Sequence, residues 1–115
     1  MKLFITGSQT SEFIKETLEG FQDEFCLSEV VTSALSPCTE AASEWCKDNF
    51  VPITIYLPED LTEKAALECN RDAITGSRPN FILIYNENEH MCNMIARLVY
   101  HVDSVEFVAR KSEID

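Results

Sequence analysis

Gly7-Ser8 follows the apolar run Leu3-Phe4-Ile5, and Thr10 or Ser11 then suits the cap of a helix with Glu12 in its first turn. A strand, a glycine turn and a helix N-terminus make an anion-binding corner, with backbone amides of Gly7 and Ser8 as the contacts. The same pair also suits a purely structural turn. Tyr85-Asn86 closes the most apolar run in the chain, Phe81-Ile82-Leu83-Ile84. Together they offer a ring to stack on a planar base and an amide to hydrogen-bond it. Cys38 precedes a helix start, where a lowered thiol pKa makes a nucleophile, but no His or other base is near it in sequence, which favours an inert thiol. Arg71 supplies a cation from a helix, either to a crevice or simply to solvent. His90 and His101 fall at opposite ends of one helix and do not look catalytic.

The totals narrow the partners. A chain of 115 residues with 45% hydrophobic and 25% charged side chains reads as one globular domain with a real core. Its net charge of -11 argues against a nucleic-acid backbone, which needs clustered Lys and Arg. The acidic excess suits solubility or a basic protein partner. Five cysteines, with no CxxC pair and no His at metal spacing, predict free thiols and no metal site. No stretch reaches membrane-spanning length and no leader pattern follows Met1, so the expected setting is reducing and cytoplasmic.

These residues need elements to hold them. Ile14, Leu18, Phe21 and Phe25 recur at helical spacing after the first strand. Leu27 to Ser33, with β-branched Val30-Val31-Thr32, predicts a second strand. Thr39 is then expected to cap a helix with Glu40 in its first turn and Ala41, Ala42, Trp45 and Cys46 facing inward. Ile53 to Leu57 predicts a third strand. Asp60-Leu61-Thr62-Glu63 has the form of a capping box, and Leu61, Ala65, Cys69 and Ala73 share one face of the helix it opens, which ends at Gly76. Phe81 to Tyr85 predicts a central buried strand. Asn86 and Glu89 permit another capping box for a helix carrying Met91, Met94, Ile95 and Leu98 to about His101. Val105 to Arg110 predicts an edge strand, and Lys111 to Asp115 a frayed tail.

Strands alternating with helices imply an α/β class. The expected architecture is a single Rossmann-like three-layer domain over residues 1–115, with a five-stranded parallel sheet in the order 3-2-1-4-5 and helices on both faces. Its ligand crevice should lie at the carboxyl ends of strands one and four.

With that architecture, Ile5-Thr6-Gly7-Ser8-Gln9 resembles the opening strand and turn of the SLOG superfamily, the Rossmann-like group that includes the Smf/DprA-type and lonely-guy proteins. Val31 to Trp45 resembles the group's second strand, phosphate- or ribose-holding loop and following helix. Cys69-Asn70-Arg71-Asp72 resembles the Arg-Asn pair in the third helix of its small members, and Phe81 to Asn86 their fourth strand. The resemblance implies binding of nucleotides or their ribosylated derivatives, and in some members cleavage of the N-glycosidic bond of nucleoside monophosphates. It implies Glu40 as the catalytic or ribose-binding carboxylate, because a carboxylate can stabilise an oxocarbenium-like transition state or hold ribose hydroxyls. Plain helix-dipole complementarity accounts for Glu40 more simply than catalysis does, though not more simply than ribose contact. Three departures stand out. The Ser33 to Cys38 loop has no glycine, so the Ser33 and Ser36 hydroxyls replace close backbone approach; Gln9 stands where Arg is expected; and Asp72 stands where Asn is expected.

The expectation is therefore a nucleotide or ADP-ribose-type ligand, sensed or sequestered without strong catalysis or a cofactor, by a homodimer. Its contacts would be Gly7, Ser8, Gln9, Ser33, Ser36, Thr39, Arg71, Tyr85 and Asn86. One alternative is an N-glycosidase, phosphoribohydrolase- or deoxyribosyltransferase-like, using Glu40. Another is an acidic protein-interaction module with a vestigial crevice.

Overall fold

Leu3, Phe4 and Ile5 are fully buried in β1 (Lys2–Gly7), the middle strand of a parallel sheet. A computed structural model describes residues 1–33, 36–85, 87 and 89–98, together with the backbone of 106–110. After β1 come α1 (Ser11–Phe25), β2 (Glu29–Ser33), α2 (Cys38–Asn49) and β3 (Ile53–Tyr56). Then follow α3 (Glu63–Ser77), β4 (Phe81–Tyr85), α4 (Glu89–Leu98) and β5 (Glu106–Arg110). The strands lie in the order β3-β2-β1-β4-β5, every neighbouring pair parallel. The α/β class expected from strand–helix alternation is the observed one.

The two-residue period of a strand divides β1 between two cores. Leu3 and Ile5 join Val30, Leu83 and Tyr85 against Ile14 and Leu18 of α1 and Trp45 of α2. Phe4 joins Val31, Ile82 and Ile84 against Ala73 and Ile74 of α3 and Met91 and Ile95 of α4. Each fully buried Leu, Ile or Phe contributes roughly 1.5–3 kcal/mol of transfer free energy, so both layers hold the sheet. The sheet's centre is packed on both faces, and the loops at its carboxyl edge start from it.

Several local expectations need correction. Thr39 does not cap α2. It lies inside the helix and donates its hydroxyl to the Ser33 carbonyl, while Ser36 Oγ accepts from the Cys38 amide at 3.1 Å. Leu61 is not part of α3's inner face; it precedes the helix and is 88% exposed. Asp60 accepts from Thr62's amide and hydroxyl, and Thr62 Oγ1 accepts from Ala65's amide at 3.1 Å, so Thr62 is the cap. The same helix runs past Gly76 to Ser77 and ends on Arg78 in the left-handed region at φ 51°. Leu27 and Leu57 fall outside their strands. The Asn86 capping box, the α4 extension to His101 and the 111–115 tail lie outside the described residues.

Candidate functional site

At the carboxyl edge of the sheet, Gly7 turns the chain at φ 102°, and the Ser8 amide donates to the Tyr85 carbonyl at 2.8 Å. The Ser36 hydroxyl donates to the Gly7 carbonyl at 2.8 Å while accepting from Cys38. The loop after β2 is thereby tied across to the end of β1. Ser33's carbonyl accepts from the Ser36 amide at 3.0 Å as well as from Thr39, which closes the loop on itself. Much of the anion-binding corner's hydrogen-bonding capacity is therefore turned inward to hold two strand ends together.

Beside this brace lies a crevice of about 390 Å³, lined by Thr6 and Ser33 from the sheet, Ser36 from the loop, Leu61 and Thr62 just before α3, Glu63, Ala66 and Asn70 from α3 itself, and Glu87 and Met91 beyond β4. It sits at the carboxyl ends of β1 and β2 and beside the exit of β4, where an open α/β sheet reverses its direction of winding. Asn70 is 3% exposed, and its Nδ2 donates to Met91 Sδ at 3.1 Å. A thioether accepts but does not donate, so it orients the amide nitrogen toward itself. Oδ1 then has no hydrogen-bond partner among the described residues. Leaving a buried acceptor unpaired costs about 1–3 kcal/mol, which sets Asn70 apart from the other residues that line the crevice.

The structure divides the residues expected at a site. Ser33 and Ser36 line the crevice. Gly7, Ser8 and Thr39 do not line it; their hydrogen bonds hold the strand ends and the loop together. Gln9 turns its Oε1 to the Thr10 amide at 3.0 Å and does not line it. Tyr85 does not present its ring to the crevice. The ring is packed edge-on against Phe13, with centroids 5.6 Å apart, in the core on the α1/α2 side. Arg71 points away, paired to Asp72 at 3.3 Å with about half its side chain exposed. Glu40 is exposed and lines a separate hollow of about 240 Å³ with Ser11, Pro37, Ala41 and Glu44. Asn86 lies outside the described residues.

Asn70, Glu87 and Thr6 are the site residues that motif reading passed over. The available signal was an asparagine in the buried stripe Ala65, Cys69, Ala73 and Ile74 of α3. A polar residue on an inward helical face needs either a partner or a purpose.

Cys38 is not an activated nucleophile. It is fully buried, and burial pushes its thiol up to about 11; burial does the same to Cys46. Both thiols have an ordinary value of 9.0, and a raised folded pKa means that the native state keeps its protons longer than the unfolded chain. Their contribution is therefore full below pH 9 and falls as pH rises toward 11, by about 1.4 kcal/mol per pH unit per thiol. Urea titrations at pH 8 and pH 10 should show this loss, and a Cys38→Ala/Cys46→Ala variant should show a shallower one. In the native protein at pH 8, iodoacetamide should label exposed Cys26 while sparing Cys38 and Cys46. Rapid labelling of Cys38 would contradict its inert role.

Among the described residues, no group of three or more His, Cys, Asp or Glu side chains is placed to hold a metal ion, and no helix is long and apolar enough to cross a membrane. Comparison with protein-family models, with curated proteins and with solved structures gave no match.

Proposed function

We propose that this protein binds a nucleotide-derived small molecule in the crevice at the carboxyl edge of its sheet and acts by sensing or sequestering it. The observation that carries this reading is Asn70, which is among the residues lining that crevice and whose buried Oδ1 has no partner among the described residues. The position at the winding reversal supports it, because open α/β sheets place their ligands there. So does the volume of about 390 Å³, which falls at the small end of the roughly 300–1,000 Å³ usual for ligand pockets. Membership of the SLOG group remains part of the proposal, resting on the strand and loop motifs named above.

Glu40 lines a different hollow from Asn70, which favours binding over N-glycoside cleavage. The proposal also includes a cytoplasmic homodimer. Exposed Phe50, Leu57 and Leu61, at 95%, 76% and 88%, supply apolar surface near the ends of β3 for such a contact.

The test is a thermal-shift screen against nucleosides, nucleotides, cyclic ADP-ribose isomers and NAD. A ligand present at a hundredfold excess over its Kd adds about 2.7 kcal/mol to the folded state, enough for a clear rise in Tm. The expected result is stabilisation by at least one compound, retained in Glu40→Ala and cut to about half or less in Asn70→Leu. Stabilisation by none of them would remove the proposal.

A further inference from the structure

β3 is an edge of the sheet, with no strand on its outer side among the described residues. The Val30 amide donates to the Pro52 carbonyl at 2.9 Å, and the register sets Val30 against Ile53 and Thr32 against Ile55. In a parallel ladder a residue bonds to the two neighbours of the one it faces, so Ile53 and Ile55 turn their own N–H and C=O groups outward. A row of such groups is a template for another strand. Apart from its shortness, the edge has none of the usual devices against this: Ile53-Thr54-Ile55-Tyr56 holds no charged side chain, no proline and no extra residue in its register with β2.

Apolar surface lies at both ends of that edge. Phe50 closes α2 just before Val51 and Pro52 lead into the strand, and Leu57 follows the strand directly; both are exposed, as is Ile55 between them. An antiparallel pairing with a second copy, about a two-fold axis at Thr54, makes this arrangement self-complementary. Ile53 of each copy then faces the partner's Ile55 in a hydrogen-bonded pair, and Phe50 arrives beside the partner's Leu57. The three apolar side chains cover roughly 400 Å² per copy, and the joined strand backbones bring the total buried to the roughly 1,000 Å² that a specific interface needs. We infer that two copies of this chain join β3 to β3, antiparallel, into one continuous sheet. The pairing supplies the interface of the homodimer proposed above and rests on that reading. It points the carboxyl edges of the two sheets in opposite directions, so the two crevices stay apart.

Sedimentation equilibrium of the full chain reads the pairing as a mass twice the 13.1 kDa of one copy at rising concentration. Phe50→Lys and Leu57→Glu, each at an exposed position, should stay folded and weaken the dimer by about tenfold or more, because each sets a charge against an apolar side chain. The double variant Phe50→Lys/Leu57→Glu should dimerise more tightly than either single one, since the cation of one copy then meets the partner's carboxylate. Within one copy β3 lies between the two positions and keeps them from pairing with each other. Single variants that dimerise like the parent would overturn the β3 pairing while the homodimer survives, and a double variant weaker than both would overturn the antiparallel arrangement. A parent that stays monomeric at every concentration would overturn the pairing and the homodimer together, and leave the crevice reading standing.

Discussion

Gly7→Ala loses at least about 3 kcal/mol of unfolding free energy. Two effects add at this position. The backbone at φ 102° lies where side chains other than glycine's are strained. A Cβ built there would sit 1.8 Å from the Tyr85 carbonyl oxygen, which is backbone and has no side-chain torsion by which to move aside. Relief requires β4 to shift away from β1, and those strands are paired from Leu3↔Phe81 to Gly7↔Tyr85 in the centre of the sheet. The shift would also break the Ser8-to-Tyr85 bond and strain the Ser36-to-Gly7 brace. Urea unfolding monitored by circular dichroism measures the loss. Gly20→Ala is the control, since a Cβ there meets nothing within 4 Å and the site is a helix interior where Ala is preferred by roughly 1 kcal/mol. A Gly7→Ala variant within 1 kcal/mol of the parent would mean that the corner has slack the geometry does not contain.

Asn70→Leu separates stability from binding. Removing a buried acceptor that has no partner, and substituting an apolar group of similar shape, relieves a desolvation penalty; the loss of a weak bond to a thioether sets little against it. The variant should therefore be as stable as the parent to within about 1 kcal/mol, or more stable. Its ligand affinity should fall by about tenfold or more, because the ligand's donor would face a methyl group. A residue kept for structure alone would give the opposite pattern, with stability lost and affinity unchanged.

What the sequence disclosed and what it hid have the same physical source. β1 and β4 were legible because strands buried on both faces read as unbroken apolar runs, and α1 because its apolar positions keep to a helical period. The Gly7 corner was legible because a strand, a glycine and a capping Thr10 are consecutive. Thr39 was misread because a local capping preference gave way to a tertiary bond with the Ser33 carbonyl. Leu61 was misread because periodicity was carried one residue past a cap that Asp60 fixes at Thr62. Tyr85 illustrates a different limit. Alternation places it on Leu83's side of the sheet, but the sequence does not say which side the crevice occupies. Arg71 and Asn70 differ by one residue, about 100° of helical rotation, which separates solvent from the crevice wall. A motif centred on the charged residue therefore missed its buried neighbour.

The account turns on one atom, Asn70 Oδ1, and on whether a ligand's donor satisfies it. Calorimetric titration of the nucleosides, nucleotides, cyclic ADP-ribose isomers and NAD of the thermal-shift screen into the parent protein, Asn70→Leu and Glu40→Ala addresses that directly. Saturable heat in the parent and in Glu40→Ala, with affinity at least about tenfold weaker in a folded Asn70→Leu, is the result the account predicts. Equal affinity in all three proteins, or no saturable heat in the parent, would contradict it.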